Sequence, residues 1–115
     1  MAGTIKRLAG PLALTNTLTT NVYQGGGGSA LIFDVVKHIH IVNKTAGAVT
    51  FTLYLGGTGG NVAGTEIFGT ARSIAANSAF DWYGNLKLTS TDFIVGGASA
   101  NTSLTITIMG ESNAV

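Results

Sequence analysis

Residues 49–55 alternate strictly between apolar and more polar positions, and the same pattern returns over residues 104–108. Successive side chains on a β-strand point to opposite faces, so the alternation predicts strands with one buried face and one outward face. The outward positions of the first strand are Thr50, Thr52 and Tyr54. Threonine favours strands and carries no charge. We therefore expect this outward face to pack against another copy of the protein or a larger particle.

Further strand-like segments alternate with turns rich in glycine. We place these strands at residues 4–9, 17–23, 30–43, 65–74, 79–83, 86–88, 92–95 and 103–109. In the long segment, Lys37 interrupts the apolar positions, so a bend or β-bulge is expected there. The glycines around residues 25–28, 56–60 and 96–97 are expected in loops between strands, because glycine tolerates the conformations of tight connections.

No segment combines a sustained helical period with a capping signal, and short strands with frequent turns are typical of sandwiches and barrels. A chain of 115 residues is long enough for one core and too short for two. The sequence therefore predicts an all-β, single-domain antiparallel β-sandwich, jelly-roll-like, over residues 16–115. Residues 1–15 are expected to form an N-terminal arm.

Charged residues make up 10% of the chain, against roughly a quarter in a typical soluble domain. A surface with so little charge tends to associate. The net charge of +1, with six scattered basic residues, argues against nucleic acid as a partner. The apolar runs are far shorter than a membrane span, so no membrane partner is expected. Without cysteine, neither a disulfide nor a cysteine-based metal site can form.

Two histidines, His38 and His40, lie two residues apart on a strand and face the same way, whereas Val35, Ile39 and Ile41 are predicted on the opposite face. Such a pair suits metal ligation, and Asp34 is the nearest candidate for a third ligand on the histidine face. In a symmetric trimer, three copies of one histidine could instead meet around an axis. The chain has no further histidine. A histidine pair at a surface or subunit interface is therefore favoured, and no metal or cofactor is expected.

No catalytic motif stands out. The run of residues 25–29 lacks the lysine of a phosphate-binding loop and leads into a strand instead of a helix. The acidic residues are scattered, and no Gly-x-Ser-x-Gly elbow occurs. We therefore expect a protein that is not an enzyme.

An aromatic cluster lies at residues 80–83. Phe80 and Trp82 share one face of the predicted strand and are expected in the core or at a subunit interface, whereas Tyr83 faces the other way. Exposed aromatic rings can stack on sugars. A carbohydrate-binding module that uses Trp82 and Tyr83 is therefore one alternative function.

The ordered strand and turn segments resemble a family of small structural proteins encoded by tailed bacteriophages. The segments that carry this resemblance are residues 3–8, 36–45, 49–55, 74–78, 81–84, 91–99 and 104–111. The resemblance covers nearly the whole chain and rests on strand and turn patterns. It implies a β-sandwich subunit of a virion that assembles as a trimer.

The expected function is that of a capsid decoration protein, which binds and stabilises the assembled phage head as an oligomer. Its expected partners are further copies of itself, as a homotrimer, and the major capsid protein, and its expected place is the outer capsid surface of the virion. A neck or tail structural protein is the alternative within the same class. The candidate interface residues are Lys6, Arg7, His38, His40, Thr50, Thr52, Tyr54 and Trp82.

Overall fold

The computed structural model describes residues 3–115, which form eight β-strands and one short 3-10 turn at Gly25–Gly28. The strands are β1 (Thr4–Ala13), β2 (Asn21–Gln24), β3 (Ile32–Asn43), β4 (Val49–Gly56), β5 (Arg72–Ile74), β6 (Ala79–Leu88), β7 (Phe93–Ala98) and β8 (Leu104–Ala114). The all-β prediction is confirmed. Over the same residues, the structure has no helix with the length and apolar character needed to cross a bilayer.

The strands form two antiparallel sheets, with the strand orders β1-β8-β3-β6 and β2-β7-β4-β5. The pairing is nested, because β1 pairs with β8, β2 with β7, β3 with β6 and β4 with β5. Eight strands that pair from the outside inward and divide between two packed sheets form a jelly roll. The predicted jelly-roll-like β-sandwich is therefore confirmed.

The hydrophobic core fills the space between the two sheets. Alternation along β8 turns Leu104, Ile106 and Ile108 inward, and all three side chains are fully buried. They share the core with fully buried side chains from both sheets, which include Ile39, Ile41, Phe51, Leu53 and Ile94. The buried face that the alternating pattern predicts therefore packs against the buried face of the other sheet.

A β-bulge interrupts β3 at Lys37, as the sequence predicts. Val36 pairs with Gly110 and His38 with Met109, so two steps along β3 match one step along β8. The extra residue reverses the order of inward and outward side chains on its N-terminal side. Val36 therefore joins Ile39 in the core, and the prediction that Val35 shares the apolar face is wrong.

Most of the predicted arm is a strand of the sandwich. Residues 4–13 form β1, which pairs with β8 along its length at the edge of the first sheet, and Leu14 is buried in the core. Lys6 and Arg7 are exposed on this strand. Met1 and Ala2, which belong to the predicted arm, lie outside the described residues. The boundary expected near residue 15 therefore does not separate an arm from the fold.

Two of the three outward positions of β4 are covered by the chain itself, so the prediction that Thr52 and Tyr54 face another copy or a particle is wrong, whereas Thr50 is partly exposed. Thr52 and Tyr54 are only 4% and 7% exposed. The Thr52 hydroxyl accepts a hydrogen bond from the backbone N–H of Ala71, with 2.9 Å between oxygen and nitrogen. Tyr54 forms an isolated antiparallel β-bridge with Glu66. Residues 65–74, predicted as one strand, thus run beside β4 as this bridge and the short β5.

Gly96 and Gly97, predicted in a loop, lie inside β7. A Cβ atom on Gly97 would lie 2.3 Å from the carbonyl oxygen of Thr17 and 2.5 Å from that of Thr15. Glycine is used here because neighbouring backbone passes too close for a side chain, which is a recognised role of glycine within strands.

Candidate histidine–aspartate site

Four side chains meet on the outer face of the sheet β1-β8-β3-β6. His38 lies opposite Tyr83 and His40 opposite Asp81 where β3 pairs with β6. Directly opposed residues point to the same face of a sheet, and long side chains also reach their diagonal neighbours. The strand pairing therefore collects two imidazoles, one carboxylate and one phenol in a single patch, which we call the His–Asp cluster.

Both histidines converge on one oxygen atom. His38 Nε2–H and His40 Nδ1–H donate hydrogen bonds to Asp81 Oδ1, at 2.8 and 2.6 Å. An ionised carboxylate only accepts, so both of these ring nitrogens carry protons. These hydrogen bonds, first from His40 and then from His38, hold the pKa of the Asp81 carboxyl below its usual range.

The His38 ring also stacks on the ring of Tyr83. The two ring centroids are 4.3 Å apart and the rings are nearly parallel, with an angle of 8° between their planes. Tyr83 itself is 71% exposed. This contact and the hydrogen bond to Asp81 fix the orientation of the His38 imidazole on the surface of the sheet.

Asp34, the third ligand considered with the histidine pair, is on the other side of β3. The bulge at Lys37 turns its fully buried carboxylate inward. There it accepts hydrogen bonds from the Tyr23 hydroxyl, the Gly26 N–H and the Ser112 hydroxyl. Because the bulge places Asp34 on the inner face of the sheet and the two histidines on the outer face, Asp34 cannot bind the same metal ion as His38 and His40.

The other interface candidates do not gather with the histidines. Thr50, Thr52 and Tyr54 belong to the second sheet, where the Thr50 N–H donates to Ser99 Oγ at 3.0 Å. Trp82 faces the core side of β6 and packs near Phe68, with the ring centroids 5.7 Å apart. Because Trp82 and Tyr83 lie on opposite faces of β6, they do not form one platform for stacking on a sugar.

Arg7 does share the outer face with the cluster. Strand pairing places Arg7, Met109, His38 and Tyr83 in one row across all four strands. Ile5, in β1, pairs with Glu111 in the next row of the same face. This surface, which we call the outer face of the first sheet, is thus a mixture of apolar, aromatic and a few charged side chains.

Sequence reasoning missed Asp81 as a partner of the histidines. The alternation of residues 80–83 already separates Phe80 and Trp82 from Asp81 and Tyr83, and so places Asp81 on an outward face. Pairing Asp81 with His40 additionally requires the register of two strands that are far apart in the chain. That register was not readable from the local pattern.

No family model matches this chain, and no curated protein matches it. Among solved structures, a chain in the structure of infectious bursal disease virus Gx strain is similar to 97% of this chain, at 10% sequence identity and a TM-score of 0.28. This chain covers 26% of that chain. At so low a TM-score, the likeness carries no argument about fold or function.

Proposed function

We propose that this protein is a structural subunit of a virion, and specifically a decoration protein that binds the head of a tailed bacteriophage as a trimer. The observation that carries the proposal is a jelly roll whose interior is filled with apolar side chains. Its outer faces are then the surfaces available for function. The resemblance of the ordered segments to small phage structural proteins supports the same assignment.

The filled interior distinguishes among the uses of this architecture. Jelly rolls occur in viral capsid domains, lectins and cupins. A protein that holds a small ligand between its sheets needs a cavity there, but Ile39, Leu53 and Ile106 are fully buried members of one hydrophobic cluster in this space. The histidines and Asp81 lie on the outer face of the first sheet instead. This arrangement favours a protein that works through surface contacts.

The outer face of the first sheet has the composition of a contact surface. Arginine, methionine and aromatic residues are enriched in protein interfaces relative to the rest of the surface. Arg7, Met109 and Tyr83 stand in one row across this face, and exposed Ile5 lies beside them. We assign this face to contacts with the capsid lattice or with neighbouring copies.

Decoration stabilises a head by mass action, because the subunit binds the assembled lattice and not its dissociated chains. A trimer multiplies weak contacts, since the second and third subunits bind at a high effective concentration once the first is bound. The low charge of the chain reduces the repulsion that such close packing would otherwise create. Trimeric assembly is checked by light scattering on the purified protein, and a monomer at high concentration contradicts it.

The position on the virion is tested by electron microscopy of particles that carry the protein with an affinity label. We expect label on the outer surface of the head. Label at the neck or tail would support the alternative structural role, and particles without the protein would overturn the proposal. Binding on a glycan array that Tyr83→Ala abolishes, without particle binding, would support a carbohydrate-binding function.

A single substitution tests the proposed contact face. Ile5→Ser removes an apolar side chain that is 70% exposed on this face, and we expect head binding to weaken at least about fivefold, as for a contributing interface residue. Co-sedimentation of purified protein with heads lacking it measures the affinity. The matched control is Val62→Ser, a residue 67% exposed in the loop before β5. Equal binding by both variants would remove the face from the proposal.

A further inference from the structure

The His–Asp cluster contains a set of donor atoms that suits a metal ion. Two imidazole nitrogens and one carboxylate oxygen, from His38, His40 and Asp81, lie within 4.8 Å of one another. Imidazole favours zinc, copper, nickel and cobalt over magnesium and calcium, which prefer oxygen donors alone. We propose that these three residues bind one divalent transition metal ion of the zinc type on the outer face of the first sheet.

The direction of the donor atoms supports this site. His38 Nε2 and His40 Nδ1 both point at the same Asp81 oxygen. In the neutral tautomers that carry the proton on the other ring nitrogen, the lone pairs of these two atoms would point to the same region. Ligands around a tetrahedral zinc ion, at bonds of 2.0–2.1 Å, are about 3.3 Å apart. The nitrogen–oxygen distances of 2.6 and 2.8 Å need to open by less than about 1 Å to admit the ion.

The scaffold holds the three ligands without any loop. His38 and His40 are in β3 and Asp81 is in the neighbouring β6, with His40 and Asp81 directly opposed. Stacking on Tyr83 limits rotation of the His38 ring. Sites built on paired strands require little ordering when an ion binds, and this lowers the entropic cost of binding.

The exposure of the cluster decides what kind of site it is. The side chains of His38, His40 and Asp81 are all partly accessible to solvent. Three protein ligands leave the fourth position of a tetrahedral ion open, as in zinc sites that keep a water molecule. We therefore expect water as the fourth ligand in the isolated chain and an affinity below that of a closed structural zinc site.

The experiment uses the purified full chain after treatment with a chelator. Zn²⁺ is titrated by isothermal calorimetry, and Co²⁺ by its visible absorption, which reports the coordination of the ion. We expect one ion per chain, and no comparable binding of Mg²⁺. The variants His38→Ala, His40→Ala and Asp81→Asn should each weaken binding at least about tenfold.

The matched control is Asp92→Asn, which changes a partly exposed carboxylate in the turn before β7 and should bind Zn²⁺ as the original chain does. Circular dichroism confirms that each variant is folded. Absence of saturable Zn²⁺ binding overturns the proposal, as does unchanged binding by the double variant His38→Ala/His40→Ala. One ion for every three chains would also overturn it, because each copy would then supply a single ligand. None of these outcomes depends on the proposed role in a virion.

Discussion

At the scale of single residues, Asp34 is a charged group held inside the core by several hydrogen bonds. Its carboxylate is fully buried, and it accepts hydrogen bonds from Tyr23 in β2, from Gly26 in the 3-10 turn and from Ser112 in β8. A buried carboxylate without such donors would be strongly destabilising. Since Tyr23 belongs to the second sheet and Asp34 to the first, this network joins the two sheets at one end of the sandwich.

The same network predicts an unusual alkaline titration. Burial, followed by the hydrogen bond to Asp34 and the charge of Asp34, raises the pKa of Tyr23 well above its ordinary value. Because the folded state favours the protonated phenol, this stabilisation is fully present below about pH 10 and is lost as the pH rises further. In ultraviolet titration at 295 nm, we expect Tyr23 to ionise only as the protein unfolds.

The control for this titration is a pair of tyrosine variants. Tyr23→Phe should remove the Tyr23 contribution from the late ionisation step and lower the free energy of unfolding by about 1–2 kcal/mol, because the buried Asp34 loses a donor. Tyr83→Phe, at an exposed position, should keep the late step. Reversible ionisation of Tyr23 near pH 10 in the folded chain would contradict the prediction.

At the scale of strands, the alternating pattern predicted the sandwich and the position of the bulge. The pattern does not show that the extra residue in the bulge exchanges the inward and outward positions before it, and so Asp34 and Val35 were assigned to the wrong faces. The histidine pair was predicted on one face, but its partner Asp81 depends on the register between β3 and β6. Local periodicity fixes which face a residue takes within one strand, whereas register is set by contacts between distant segments.

Close approach between strands is equally hidden from periodicity, and Gly97 provides a test. Gly97→Ala would place a Cβ against the backbone carbonyls of Thr15 and Thr17, which cannot move without disturbing the pairing beside β7. We expect a loss of about 2 kcal/mol in the free energy of unfolding, measured by urea denaturation. The control is Gly57→Ala, where a Cβ meets no atom within 4 Å and the change should stay within about 0.5 kcal/mol. Equal stability of both variants would contradict the close approach.

At the scale of the whole molecule, β1 is needed to complete the first sheet. Deleting residues 1–13 would uncover the edge of β8 and remove Leu8 and Leu12 from the core boundary. We expect the truncated chain to lose its cooperative thermal transition, followed by circular dichroism. The control Lys6→Thr/Arg7→Thr changes two exposed side chains and keeps the strand, so its transition should be preserved. A truncated chain with an unchanged transition would show instead that this segment is a separable arm.

The nested pairing of the strands also limits the order in which strand pairs can form during synthesis of the chain. Of the eight strands described, β1 is synthesised first, yet its partner β8 is synthesised last. Within residues 3–115, only β4 and β5 form a pair of consecutive strands, and each further nested pair brings together more distant parts of the chain. Folds dominated by such distant pairings form slowly, in milliseconds to seconds. During synthesis on the ribosome, β1 therefore has no partner strand until β8 emerges, and the first sheet can form completely only after that.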